Sequence, residues 1–190
     1  MTQRVFVDAN IIVSKTIFDW LFHLRCLNDG MFQLHSTKDV FVEALRNVRK
    51  NNPRASGDLV DRRLEMIKDC IDEILEHFPS TVPFTGTHDS DYHVHAAAVT
   101  LRADIILTNN KESDFTTHPE DEPYEVYTAD DFFMLVIGSH PECLLPATRS
   151  QFNYWKNRPN SKPLVDALQS AGCSQFAEQV RGALQAIALE

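Results

Sequence analysis

The 190-residue chain has no apolar run approaching the roughly 20 residues a membrane-crossing helix needs. Its N-terminus lacks a basic region followed by a long apolar stretch, so no secretory leader is expected. Its four cysteines, Cys26, Cys70, Cys143 and Cys173, are widely spaced and form no C-x-x-C pair. That argues against a zinc site or a disulfide framework and predicts reduced thiols in a cytosolic protein. H-E-x-x-H, G-x-x-x-x-G-K-[ST] and G-x-S-x-G are all absent, which argues against zinc-protease, P-loop and hydrolase-elbow chemistry. Positive charge is in deficit, with 18 Lys and Arg against 27 Asp and Glu and a net charge of −9. Such a balance disfavours coating nucleic acid through a broad basic surface. It leaves room for a carboxylate cluster, which lowers net charge while attracting divalent metal and, through it, phosphate.

What is present is ordinary for a globular protein: 43% hydrophobic and 24% charged residues. At this length roughly 70% of the unfolded surface can be buried, enough for a core without disulfides. Strand patterns fall at residues 4–8, 32–35, 104–108 and 125–127. Helical spacing runs through 11–28, from Lys38 to before Asn51-Asn52-Pro53, and over 58–77, 92–101 and from Thr128 toward Ile137. Pro79 and Pro83 bracket a linker or short strand. Alternating strands and helices predict an α/β fold over residues 1–138, a central mostly parallel sheet with helices on both faces. Residues 139–190 are expected to be a Pro-containing segment of little periodicity, then two amphipathic helices at Leu164–Ser170 and Cys173–Leu189.

Asp8 ends the apolar run Val5-Phe6-Val7 and is followed at once by a helical pattern. In open parallel sheets ligands bind outside the carboxyl ends of the strands, which is where this carboxylate would stand. Three more acids can join it: Glu43 on the helix after the second strand, Asp91 at the start of the Ala-rich helix, and Asp114 in the loop after the third strand. Each also has a plain role, Asp8 and Asp91 as helix caps, Glu43 as a solvated helix residue, Asp114 as a loop acid. Asp104, Asp130 and Asp131 are expected to be caps or surface charges. Like charges about 4 Å apart repel by roughly 1 kcal/mol in water and about 4 kcal/mol at intermediate dielectric. A cluster of carboxylates therefore calls for protons or a hard cation such as Mg²⁺.

The blocks V-F-V-D-A-N-I-I at 5–12, Glu43 within a helix, D-Y-H-V-H-A-A-A at 91–98, and A-D-I-I-L-T-N-N at 103–110 followed by D-F at 114–115 resemble the PIN domain over about residues 4–138. The resemblance implies a Mg²⁺- or Mn²⁺-dependent endoribonuclease, most often the toxin of a VapC-type toxin–antitoxin pair. It aligns Asp8, Glu43 and Asp91 with the family's acidic metal-site residues. Asn110 falls at the fourth position and Asp114 follows in the same loop, so either can complete the set. Asp8, Asp91 and Asp114 would then bind metal, and Glu43 would bind it through water or orient the attacking water. Asn10, Thr108 and Asn110 would hydrogen-bond these carboxylates or the substrate. The implied partners are an RNA substrate and a cognate antitoxin, with a homodimer open and no membrane. Two other readings stay open: a non-catalytic RNA- or protein-binding module, and a small-substrate metal phosphatase. The phosphatase usually carries a second Asp where this chain has Asn10.

Of the eight histidines, His93 and His95 lie two apart on a helix and face different sides, and His88, in a loop near the proposed site, could touch substrate, though a surface position is expected. Arg46, Arg49, Lys50 and Arg54 form one basic cluster. Arg149, Lys156, Arg158 and Lys162 form another, interleaved with Phe152, Tyr154 and Trp155. Arginine among aromatics suits single-stranded RNA, which makes Arg149, Tyr154, Trp155, Lys156 and Arg158 candidate RNA contacts. The C-terminal helices would pack on the domain, extend a dimer interface or receive an antitoxin segment.

Overall fold

A computed structural model describes residues 2–159 and 161–189. In chain order the elements begin with β1 (Gln3–Val7), α1 (Ala9–Val13), α2 (Lys15–Leu27), β2 (Phe32–Thr37), α3 (Lys38–Asn51), α4 (Gly57–Cys70) and β3 (Glu73–Leu75). They continue with α5 (Tyr92–Leu101), β4 (Ile105–Leu107), α6 (Glu112–Phe115), β5 (Glu125–Tyr127), α7 (Ala129–Ser139), α8 (Leu144–Trp155), α9 (Leu164–Ser170) and α10 (Ser174–Ala188). The fold is α/β, an all-parallel five-stranded sheet flanked by helices, with further helices at the C-terminal end. No helix among the described residues is long and apolar enough to cross a membrane. The chain divides into two compact units, Met1–Val13 with Gly30–Thr128 and Ser14–Asp29 with Ala129–Glu190.

The first unit holds the sheet, in the order β3-β2-β1-β4-β5. β1 is central, and its Val5, Phe6 and Val7 are all fully buried. A strand covered on both faces reads as a continuous apolar run, which is why this one stood out in the sequence. Val5 pairs with Leu34 on one side and with Ile105 on the other. The chain winds outward from β1 to β2 and β3, then returns to lay β4 and β5 on the opposite side. The seam between the carboxyl ends of β1 and β4 is therefore the point where the winding reverses, the usual ligand crevice of such sheets.

Three expectations are corrected. The pattern over 11–28 is two helices, because Ser14 is extended (φ −72°, ψ 109°) and its hydroxyl caps α2 at the Ile17 N–H. The helix expected over 58–77 stops at Cys70, and Glu73–Leu75 is a strand. Asp72 fixes that change: its N–H donates to the Leu34 carbonyl and its carboxylate accepts from the Leu34 N–H, both at 2.8 Å. This draws the chain onto the edge of β2 and makes β3 the edge strand; the Pro79–Pro83 stretch stays a linker. The third correction is α8, a helix of 12 residues within a region expected to lack periodicity. Its buried positions are Ala147, Thr148 and Gln151. A helix that buries small and polar residues leaves no apolar stripe to read.

The second unit packs around Phe176, which meets Trp20 edge-on and Phe133 at a tilt, each at 5.0 Å between ring centres. Asp130 is buried, and its carboxylate accepts from the Gln175 and Phe176 N–H groups at 3.0 and 2.9 Å. It caps the otherwise open N-terminus of α10 from another helix and complements the helix dipole there. Burial, with the Asp130 charge beside it, pushes the Cys173 thiol up to about 12, so this cysteine is inert. Loss of an N-cap costs about 0.5–2 kcal/mol. Asp130→Ala should accordingly lower the melting temperature by roughly 1–8 °C at about 2–4 °C per kcal/mol for a chain of this size. Calorimetry showing no change would remove Asp130 from the stability of α10.

Candidate functional site

Asp8 sits at the reversal seam, one residue past β1 and only 4% exposed. Three donors hold its carboxylate: the Ala9 N–H at 2.6 Å, the Asn10 amide at 2.8 Å and the Thr108 hydroxyl at 2.7 Å. Thr108 follows β4, so this last bond ties the ends of the two central strands together. Asn10 extends the network. Its NH₂ group also reaches the Thr108 hydroxyl oxygen and, at 3.2 Å, the Asn110 side-chain oxygen, and its own oxygen accepts from the Asn109 N–H at 3.0 Å. Burial raises the Asp8 pKa above its ordinary range, against the pull of the three donors and of the nearby His93 charge.

Asp91 arrives from a single 3-10 turn, Asp89–Asp91, that leads into α5. It occupies the N-cap position of α5, yet its side chain caps nothing. One long bond, from the Asn110 amide at 3.4 Å, is its described hydrogen bond. Burial, then the charges of Asp8 and Asp114, raise its pKa, while His88 and His93 oppose the rise. Asp114 lies in α6, where one oxygen accepts from the Lys111 N–H at 3.1 Å and the other meets His88 Nδ1 at 2.9 Å and the Thr87 hydroxyl at 3.4 Å. One potential ligand atom from each of His88, Asp91 and Asp114 lies within 4.8 Å of the other two.

Gly86 keeps the two loops that deliver His88 and Asp114 in register. The Thr87 N–H and hydroxyl both donate to the Ser113 carbonyl, at 2.9 and 3.0 Å. A Cβ at position 86 would run into the Asp114 carbonyl oxygen and the Phe84 ring. Glycine alone permits that approach of backbone to backbone.

The sequence-derived set thus divides. Asp8, Asp91, Asp114, Asn10, Thr108 and Asn110 share one hydrogen-bonded and electrostatically coupled group. Asn110 and Asp114 both reach Asp91, one by hydrogen bond and one by charge. Glu43 stands further out. It is half-exposed on α3, and the neighbouring Val42 faces solvent, so the partial burial suggested by its apolar neighbours is not found. Its described link to the group is His93, whose Nε2 lies 3.6 Å from the Glu43 carboxylate. His88 lies beside Asp114, near the site as its loop position suggested, and His93 is the residue that sequence spacing passed over. His95 is structural, buried between the Tyr124 hydroxyl at 2.6 Å and the Pro83 carbonyl at 2.8 Å.

The candidate RNA contacts lie in the second unit, at and beyond the end of α8. The Arg158 guanidinium stacks 4.0 Å from the Tyr154 ring centre, Lys15 lies 4.5 Å from that of Trp155, and Lys156 lies 5.7 Å from that of Phe152. Tyr154 and Trp155 meet edge-on at 5.0 Å. Arg149 is half-buried earlier in the same helix.

Asp91, whose affinity for protons is raised by burial and by the charges of Asp8 and Asp114, stands with Asp114 and the His88 imidazole in a donor set suited to a hard or borderline divalent cation. Asp91 is the least committed of them and hence the freest to ligate. Comparison with family models, curated proteins and solved structures found no match.

The raised pKa of Asp91 has a sign that can be measured. The folded state binds this proton more readily than the unfolded chain, so its contribution favours folding below about pH 4 and is lost as pH rises through the folded value. Asn at this position carries no charge to repel Asp8 and Asp114. In EDTA at neutral pH, Asp91→Asn should therefore melt above the parent, and the gap should close as pH falls toward 4. Added Mn²⁺ should stabilise the parent, by about 2.7 kcal/mol at 100 times Kd, and leave the variant nearly unmoved. Identical melting at pH 7 in EDTA would show that the carboxylates do not repel.

Proposed function

We propose that this protein is a metal-dependent endoribonuclease of the PIN type. The observation that carries the reading is the convergence of Asp8, Asp91 and Asp114, from three separate elements, at the seam where the sheet reverses direction. Asp8, Asp91 and Asp114, joined by His88, would hold Mg²⁺ or Mn²⁺. A bound cation would offset the carboxylate repulsion and supply positive charge to the phosphodiester.

The chain's own residues have distinct tasks. Thr108 and Asn10 fix the Asp8 carboxylate in one orientation, and Asn110 steadies Asp91. Gly86 brings the loop carrying His88 against the loop carrying Asp114. Glu43, exposed and adjacent to His93, is the carboxylate left to orient or deprotonate an attacking water. The motif resemblance over residues 4–138 extends the proposal to a cytoplasmic toxin of a VapC-type pair, held in check by a cognate antitoxin, with self-association as a further partner interaction.

Purified protein incubated with total RNA should cleave it when Mn²⁺ or Mg²⁺ is present and not in EDTA. Asp8→Asn and Asp91→Asn, each checked for folding by circular dichroism, should lower the rate at least about 100-fold. Full cleavage by either folded variant would refute the assignment. RNA binding without cleavage would point to a non-catalytic module, and turnover of a phosphomonoester without RNA cleavage to a phosphatase.

A further inference from the structure

A cleft of about 220 Å³ opens within the second unit, and Lys15, Trp20, Gln151, Trp155, Lys162 and Leu164 are among its walls. Two observations mark it as a place for a polar, anionic and partly aromatic ligand. The first is Gln151, which is 2% exposed. Its oxygen accepts from the Trp155 indole N–H at 2.9 Å, which sets the orientation of the amide. The amide NH₂ group has no hydrogen-bond partner among the described residues, though it belongs to a side chain that lines the cleft. An amide donor at the wall of a cleft, without a protein partner, is free to bond an acceptor that enters.

The second observation is charge segregation. The chain carries a net charge of −9, yet residues 143–165 contain Arg149, Lys156, Arg158 and Lys162 and no Asp or Glu. At the cleft, Lys15 is matched by Asp19 at 2.5 Å and held over the Trp155 ring. Lys162 is exposed and makes no hydrogen bond or ion pair among the described residues. An unpaired cation beside an indole and an open amide donor matches the phosphate, ring and edge of one nucleotide. The volume falls below the range of roughly 300–1,000 Å³ typical of pockets for whole small molecules.

We propose that this cleft receives a single unstacked nucleotide of single-stranded RNA, with the base against Trp155, its edge accepting from the Gln151 amide, and the adjoining phosphate at Lys162. The proposal rests on the reading of the protein as an enzyme acting on RNA and adds a binding site in the second unit. Gln151 and Lys162 did not stand out as RNA contacts in the sequence. Lys162 belonged only to a charge cluster, and Gln151 to a stretch without periodicity.

The test is fluorescence anisotropy of a labelled ten-nucleotide single-stranded RNA, in EDTA so that no cleavage intervenes, at several salt concentrations. Lys162→Glu, on an exposed side chain, should weaken binding and flatten the dependence of log K on log salt by about one unit or a little less. Trp155→Leu should weaken binding about five- to 150-fold, the range for losing one base–aromatic contact. Gln151→Leu should weaken it with the salt dependence unchanged, a pattern that a fold defect would not give. Parent-like binding by both Lys162→Glu and Gln151→Leu would overturn the cleft, as would RNA cleavage in Mn²⁺ by a protein that shows no binding in EDTA. Binding lost in these variants by a protein that never cleaves RNA would uphold the cleft and refute the nuclease reading.

Discussion

A nearly fully buried carboxylate at the end of the central strand sets the terms for the first unit. Removing Asp8 from water disfavours its charge, and burial does raise its pKa. Hydrogen bonds to a charged group contribute about 1.5–3 kcal/mol each, and Asp8 accepts three. Those donors come from its own next residue, from one residue further on, and from the residue after β4. The bonds that make the charge tolerable are thus the ones that lock the ends of β1 and β4 at a fixed separation. Asn10 and Thr108 serve the carboxylate and the strand seam at once, so neither role can be removed without disturbing the other.

Asp91 and Asp114 are held quite differently. Asp114 has a local partner in the Lys111 N–H and a histidine at its other oxygen, and so would persist as a helix-capping loop acid even without a neighbour. Asp91 takes a cap position without capping and is raised in pKa by burial and then by the other two acids. An acid that forgoes the local bond its position offers, and accepts repulsion in its place, reduces stability relative to a neutral residue. Strain of this sort, concentrated where ligands bind in open α/β sheets, is the usual mark of a site shaped for a cation rather than for the fold.

The sheet was largely legible in the sequence because its central strand is buried on both faces and its apolar residues are contiguous. β3 was not, because its three residues follow an amphipathic helix without a glycine or proline between. The break depends on Asp72 bonding to the edge of β2, a contact 38 positions away in sequence. α8 was hidden for the opposite reason, since it buries alanine, threonine and glutamine instead of large apolar side chains. In the site, acids placed by local motifs were readable and His88 was expected near them, while its link to Asp114 and the role of His93 were not. His88 reaches Asp114 only because Gly86 lets two loops meet, and His93 matters through Glu43, fifty residues earlier and on a different helix. Helical spacing separates His93 from His95 correctly, and it is silent on what each faces.

Net charge is a poor guide to what this chain can bind. The figure of −9 sums acids spread along the chain with a stretch, 143–165, that has none. Binding responds to the field where a ligand docks, and screening confines that field to about 8–10 Å at physiological salt. Against the Tyr154–Trp155 pair lie Arg158 and Lys15, held over the rings, with Asp19 set against Lys15, and Lys162 lines the same cleft as Trp155. Guanidinium and ammonium groups on aromatic faces keep their charge, so rings and cations together present a locally positive surface. A protein of acidic composition can carry such a surface without becoming a general nucleic-acid binder, because attraction stays local and the rest of the chain repels a polyanion.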